Sequence, residues 1–527
     1  MNKTLPQLSP AQKCAFEAAP GYKARMLQTG NTLWNLAEVG LHEYRSAAYL
    51  TQLLAQEGFA LRQGLAGFPT GFTAQYSTGD GPVVAVLCEY DALPAMSCTA
   101  PGENGHGCGH NLFGTAAVYT ALSIRDAMRA HGVKGTVRLY GTPGEENFAS
   151  KVYYVHQGLF DDVDCSVGFH CHHSNKVNFT VSAATTIKSY TFHGKPAHAG
   201  NYPWLGNSAL DAVEIMNVAA NYLREHVTPD VRIQYIITKG GDAPNIVPEL
   251  AASQYMVRSA SVPYMDDVVQ RVDNCAHAAA LATGCRVDIQ QLDKTYNTVL
   301  LREYAQLAQS YLELAGPPAF TPDQLEAAKA FGDGSGLRTD IQPLPLVEGY
   351  QGGATDEGDV SWVVPHVSIY VANQAYNTTC HTLDYTRQAN MPAAYTAMVT
   401  QVQATAAMLV GLLENPAQVA ELKAAHKAKL NGLCYPKNPD YILPARLNPN
   451  CQGVTVEGSI IAADYSLLTL LPQGYAGPLH FLREGREVAT LAGTGQTTSS
   501  LPLAAGDSLH IYCDTAYGPQ LIGYYNL

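Results

Sequence analysis

Charge is scarce in this chain of 527 residues. Only 15% are Asp, Glu, Lys or Arg, and the acidic ones lead by 45 to 32. The net charge of −13 leaves no basic footprint for a phosphate backbone, so nucleic acid is not expected as a partner. Long uncharged apolar runs are missing too: no stretch reaches the ~18 consecutive apolar residues that mark a membrane span, and no membrane partner is expected. Near the amino end, Lys13, Glu17, Lys23 and Arg25 interrupt every apolar stretch, so no secretory core is read there. The 12 cysteines are scattered from Cys14 to Cys513 without tight spacing, which argues for reduced thiols over a disulfide framework. Internal repeats of roughly 20–50 residues are absent as well. These absences together give the expectation of a cytoplasmic protein.

What is present is apolar content of 46%, enough for large cores, in a chain too long for one of them. Apolar runs before polar turns predict strands at 83–88, 136–141 and 165–170, with a helix over 112–130 between the first two. Strands alternating with helices imply an α/β fold with a mostly parallel sheet, whose ligands bind beyond the carboxyl ends of the strands. Over 184–295 the order becomes β-α-β-β-α-β, a ferredoxin-like insert. The first pattern resumes at 296 and closes with helices at 393–413 and 417–430. From 431 to 527, prolines and then short β-rich runs between glycine turns predict a linker and a small all-β appendage. The expected domains are therefore 1–183 with 296–430, 184–295, and 431–527.

Four polar clusters stand at strand ends or helix starts: Cys88–Pro94 (CEYDALP), Gly105–Asn111 (GHGCGHN), Gly144–Asn147 (GEEN) and Phe169–His173 (FHCHH). A lone His or Cys is more often packing than ligand, and a Glu-Glu pair more often a solvated helix start. Four such clusters on one rim of a sheet point instead to a divalent metal pair. Thiolate, imidazole and carboxylate suit zinc or manganese. Two ions about 4 Å apart activate water and polarise a carbonyl, and a spare carboxylate shuttles the proton to the leaving amine. Of Glu145 and Glu146, one would ligate and the other act as base.

These motifs resemble the aminoacylase and carboxypeptidase family of dinuclear metallohydrolases, and within it the aminobenzoyl-glutamate hydrolase and peptidase-like amidohydrolase branch. Later stretches agree: Gly194–Ala199 (GKPAHA), Pro244–Glu249 (PNIVPE), Thr355–Trp362 (TDEGDVSW) and Cys380–Thr382. The resemblance covers roughly residues 20–430. It implies Cys108, His110, Glu146, His170 and His381 as ligands of two divalent metal ions and Glu145 as general base and acid. Asp91 would orient a ligating imidazole. The insert would form a homodimer, with His198 stabilising the oxyanion in the partner's site. Asn245 and Arg258 match positions that hold the substrate's carboxylate, which Arg can grip with two hydrogen bonds. His106, His172 and His173 have no role in the pattern. The segment 95–103 departs from the branch and is expected to form a rim loop over the substrate pocket.

The function this implies is cleavage of a small amide substrate: an N-acyl or N-aroyl amino acid, or a dipeptide, with a free carboxylate. Two alternatives are weighed beside it. A dipeptidase or aminopeptidase would need a fixed acid to capture a free amine, which Asp356, Glu357 or Asp359 could supply. A catalytically inactive binding protein would act through the appendage; intact Glu145 and five ligand candidates weigh against it.

Overall fold

In this computed structural model residues 5–439, 441 and 443 are described in full, and beyond them only the backbones of strands lying between Ser466 and Asn526. The chain divides into two compact units. One comprises Met1–Phe179, Leu301–Leu346 and Val363–Leu527; the other, Thr180–Leu300 and Val347–Trp362.

The first unit is built on a seven-stranded mixed sheet in the order Ala60–Leu65, Phe68–Ser77, Thr136–Gly141, Val83–Cys88, Cys165–His172, His366–Ala372 and Lys176–Val177. The middle four strands are mutually parallel, while Phe68–Ser77 and Lys176–Val177 run against them. Val83–Cys88 (VVAVLC) explains its own place, since a run of β-branched and aliphatic residues with no polar alternation suits a strand covered on both faces. Helix His110–His131 is buried along most of its length and packs against Pro10–Gly21 and Pro392–Glu414. Pro392–Glu414 is the one described helix long and apolar enough to cross a membrane, but 83% of its apolar window is buried inside this core. The carboxyl ends of Val83–Cys88, Thr136–Gly141 and Cys165–His172 leave the sheet on one side, and the polar clusters follow them there.

The second unit carries a four-stranded antiparallel sheet in the order Arg286–Thr295, Ala184–His193, Leu250–Ser259 and Arg232–Lys239, with helices Ala209–Leu223 and Val262–Thr283 packed on it. That is the ferredoxin-like order. A buried tether joins the layers: Asp273 accepts hydrogen bonds from Lys188 Nζ and Tyr190 Oη, each at 2.7 Å.

The division differs from the sequence expectation in three segments: residues 180–183 and 296–300 fall in the second unit, and so does a later stretch. Residues 347–362, expected in the domain resuming at 296, belong to the second unit. Gly349–Tyr350 pairs with Thr180–Val181, and Asp359 Oδ2 and Ser361 Oγ accept from the backbone N–H groups of Tyr296 and Val299. These short pairings bind the segment to both ends of the insert, and its periodicity gives no hint of them. The expected appendage over 431–527 lies mostly outside the described residues; its described strand backbones pair as a two-stranded and a four-stranded sheet.

Candidate metal centre

Every candidate ligand comes from the first unit. Cys108 and His110 stand at the start of helix His110–His131, where Gly109 turns the chain in the left-handed region at φ +80°. A side chain at Gly109 would meet Cys171 Sγ at 2.7 Å, so the close passage requires glycine. Glu145 and Glu146 open the four-residue helix Glu145–Phe148 after Gly144, also left-handed at φ +62°. His170 lies on strand Cys165–His172. His381 has φ +60°, uncommon for a residue with a side chain, and its N–H donates to the Gly107 carbonyl at 2.8 Å. The segment bearing the last ligand is thereby pinned beside the first.

The donor atoms converge as two triplets. Cys108, His110 and His170 form one, and Cys108, Glu146 and His381 the other; within each, one donor atom from each residue lies within 4.8 Å of the rest. Cys108 belongs to both, as expected of a thiolate shared by two cations. Glu145 falls within the same distance of His110 and Glu89. The separation from Cys108 Sγ to His170 Nε2 is 3.5 Å, and from His381 Nε2 to Glu146 Oε1 3.2 Å. Asp91 bridges the clusters: Oδ1 accepts from His110 Nδ1 at 2.8 Å, and Oδ2 accepts from the Glu146 N–H at 3.1 Å. With Nδ1 engaged by Asp91, Nε2 is the atom His110 can offer to a cation.

Electrostatics favour a cation here. Among the described residues the buried His110 Nε2 has no hydrogen bond, and Glu146 Oε1 is paired only with His381 Nε2. Both are metal donors, so the residues fit divalent ions. Burial pushes the Cys108 thiol well up, and His110 opposes it; a bound cation would reverse that balance. Burial would also raise the Glu146 carboxyl, but the His381 hydrogen bond and the nearby His110 bring it down to about 2. His110, despite burial, is drawn well above the usual imidazole range by Asp91, Cys108 and Glu89. Exposure grades across the centre, from 1% for the His110 side chain to 48% for His381, so solvent reaches the His381 side.

Sequence reasoning missed three supporting residues. Glu89 Oε2 sits 3.3 Å from His110 Nε2, and its Oε1 pairs at 2.7 Å with Lys151, which is fully buried. Glu89 and Asp91 are two apart at a strand end, a spacing that puts both on one face and could have flagged Glu89. Glu43, also fully buried, accepts from Gly144 N at 2.8 Å and Thr70 Oγ1 at 3.1 Å, holding the turn before Glu145. His106 is a packing residue: its Nε2 bonds the Leu33 carbonyl at 2.9 Å, and burial lowers it to about 4.

The remaining predicted residues lie in the second unit. His198 and Asn245 adjoin: His198 bridges Ile246, and the Ala199 N–H donates to the Asn245 carbonyl at 3.1 Å. The His198 Nδ1 accepts from the N–H groups of Gly200 and Asn201 at 3.2 and 3.1 Å, so its proton is on Nε2. Arg258 does not join them. Asn245 precedes strand Leu250–Ser259 while Arg258 is next to its end, about 26 Å along at ~3.3 Å per residue. The two residues therefore lie toward opposite ends of this strand. Arg258 donates to the Gly352 carbonyl at 3.0 Å. Asp356, Glu357 and Asp359, weighed as amine-binding loop acids, are buried instead, and Asp359 holds the backbone of Tyr296. The segment 95–103 lines a cleft of about 300 Å³ with Trp34, Asn35 and Thr386, none of them a candidate ligand.

Comparison with known proteins matches residues 182–283 to the peptidase dimerisation domain of the M20 peptidases. One of the subunits of the p-aminobenzoyl-glutamate hydrolase of Escherichia coli is 31% identical over 452 residues, 78% of this chain and 94% of its own. The chain belongs to the M20 family. A mouse M20 relative, the Xaa-Arg dipeptidase, is 30% identical over 77% of this chain and 90% of its own. The fold agrees with a Bacillus subtilis dinuclear metal-binding peptidase of the M20 family, at 16% identity and a TM-score of 0.54, over 74% of this chain and 99% of that one. The M20 chain is thus a metal-dependent hydrolase of amide bonds, with an amidohydrolase or peptidase activity.

Proposed function

We propose that this enzyme cleaves the amide bond of N-acyl or N-aroyl amino acids, aminobenzoyl-glutamate-like compounds among them, or of dipeptides with a free carboxylate. The observation that carries the reading is the pair of donor triplets sharing Cys108, with Glu145 at their edge. When bound, two zinc or manganese ions would supply Lewis-acid polarisation of the amide carbonyl and acidify water. Cys108, His110, Glu146, His170 and His381 would hold them. Glu145 takes the proton from the attacking water and delivers it to the leaving nitrogen. Asp91 keeps His110 in the required tautomer while fixing the backbone of Glu146.

His198, with its proton on Nε2, donates to the developing oxyanion in the partner's site of a cytoplasmic homodimer formed through the insert. Asn245 travels with His198, while Arg258 can grip the same substrate carboxylate from the other protomer. The test is hydrolysis of aminobenzoyl-glutamate, acyl-amino acids and dipeptides, each as free acid and as carboxamide, with zinc or manganese. Amidation should lower kcat/KM roughly 10- to 150-fold, the equivalent of losing one charge-assisted hydrogen bond. Equal cleavage of acid and amide would overturn the proposed carboxylate grip.

A further inference from the structure

Beside the centre, on the same sheet, stands a cation with no counter-charge among the described residues. In the strand register His170 pairs with Tyr370 and Tyr370 with Lys176, so the three form one row across neighbouring strands and share a face. His172, two residues beyond His170, lies on that face as well, stacked on the Tyr370 ring at 5.4 Å. Lys176 Nζ lies 5.8 Å from the same ring centroid. Lys176 is half-buried, and among the described residues it makes no ion pair. The neighbouring cation, Arg338, is already neutralised by Asp340 at 2.7 Å. Burial lowers the Lys176 ammonium below its ordinary range, the cost of holding a charge there unpaired.

A second observation concerns the neighbours. Gln374 is fully buried, and its N–H donates to the His172 carbonyl at 3.2 Å. Neither of its amide atoms has a hydrogen bond, nor does His172 Nδ1. Of these atoms Gln374 Nε2 is a donor, and His172 Nδ1 can be one, on a residue that shares the Tyr370 ring with Lys176; buried polar groups of this kind favour a polar partner.

We infer that Lys176, with His172 and Tyr370, forms a subsite for a carboxylate of the amide substrate. It lies two strand spacings, roughly 10 Å, from the row position of His170. The inference rests on the amidohydrolase reading and adds to it a substrate anchor inside the metal-binding unit. An α-carboxylate and a side-chain carboxylate offer the same chemistry, so the test separates them.

The metal-loaded full-length enzyme is assayed on an N-acyl-glutamate, on the glutamine analogue and on the α-carboxamide. Lys176→Met should raise KM for the glutamate substrate roughly 10- to 100-fold with kcat within about twofold, and Lys176→Arg should recover most of the loss. The amidated analogue whose cleavage is insensitive to Lys176→Met identifies the carboxylate involved. Equal losses on all three substrates, or no loss on any, would overturn the subsite. If the parent cleaves none of them, the amidohydrolase reading fails separately. The subsite is then decided by whether glutarate raises the melting temperature of the parent but not of Lys176→Met; no shift in either refutes it.

Discussion

The two units treat their polar residues in opposite ways. Around Cys108 the supporting groups are buried and held from behind: Asp91 by its two hydrogen bonds, Glu89 by Lys151, the Gly144 turn by Glu43. In the insert, His198 and Asn245 stand exposed, positioned only by backbone contacts of their own loop. A centre that must hold cations at fixed spacing is organised in advance by the unit that carries it. Under the proposed role in a partner's site, His198 and Asn245 would need that exposure, and their geometry would be completed by the surface they meet.

The sharpest way to break this contrast lies inside the first unit. Glu145→Gln should lower turnover roughly 10²- to 10⁴-fold and leave metal content unchanged, whereas Cys108→Ala should lose metal and activity together. Elemental analysis beside kinetics checks both, and activity within a few-fold of the parent in Glu145→Gln would remove the proton shuttle from that residue. A smaller effect tests the insert. Glu145→Gln and His198→Ala, each inactive alone, should regain about a quarter of parental activity when mixed and allowed to exchange subunits, because half the dimers then contain one intact site. Demonstrated exchange without recovery would confine His198 to its own protomer.

The smallest effect asks whether pre-organisation extends away from the centre. The Glu57 carboxylate accepts from Arg125 at 2.6 Å and Arg25 at 2.5 Å. Burial would raise its pKa, but these two hydrogen bonds hold it below the ordinary 4.5. A depressed carboxyl stabilises the fold above its unfolded pKa, and the contribution fades as pH falls through the folded one. Glu57→Gln should therefore cost about 1 kcal/mol at pH 7, after allowance for solvent screening, and less at pH 3. Thermal melts at both pH values measure it; a constant difference would refute the assignment.

Much of the scaffold was legible because its signals are local. Strands Val83–Cys88, Thr136–Gly141 and Arg232–Lys239 coincide with apolar or alternating runs ended by turn residues. The clusters around Cys108, Glu146 and His170 were legible as strand ends and helix starts. What escaped depends on contacts between distant segments. The buried charge of Lys151 is balanced by Glu89, a pairing set by packing rather than spacing. The allegiance of 347–362 rests on pairings two residues long. Asn245 and Arg258 seemed neighbours in role, and only the strand running between them shows their distance.

The left-handed His381, pinned to the Gly107 carbonyl, also fixes an order of assembly. During synthesis Cys108, His110 and His170 are complete before the insert exists, while the other triplet waits until the chain has passed through that whole insert and returned. Before the insert, the sequence holds all three donors of one triplet and two of the three of the other.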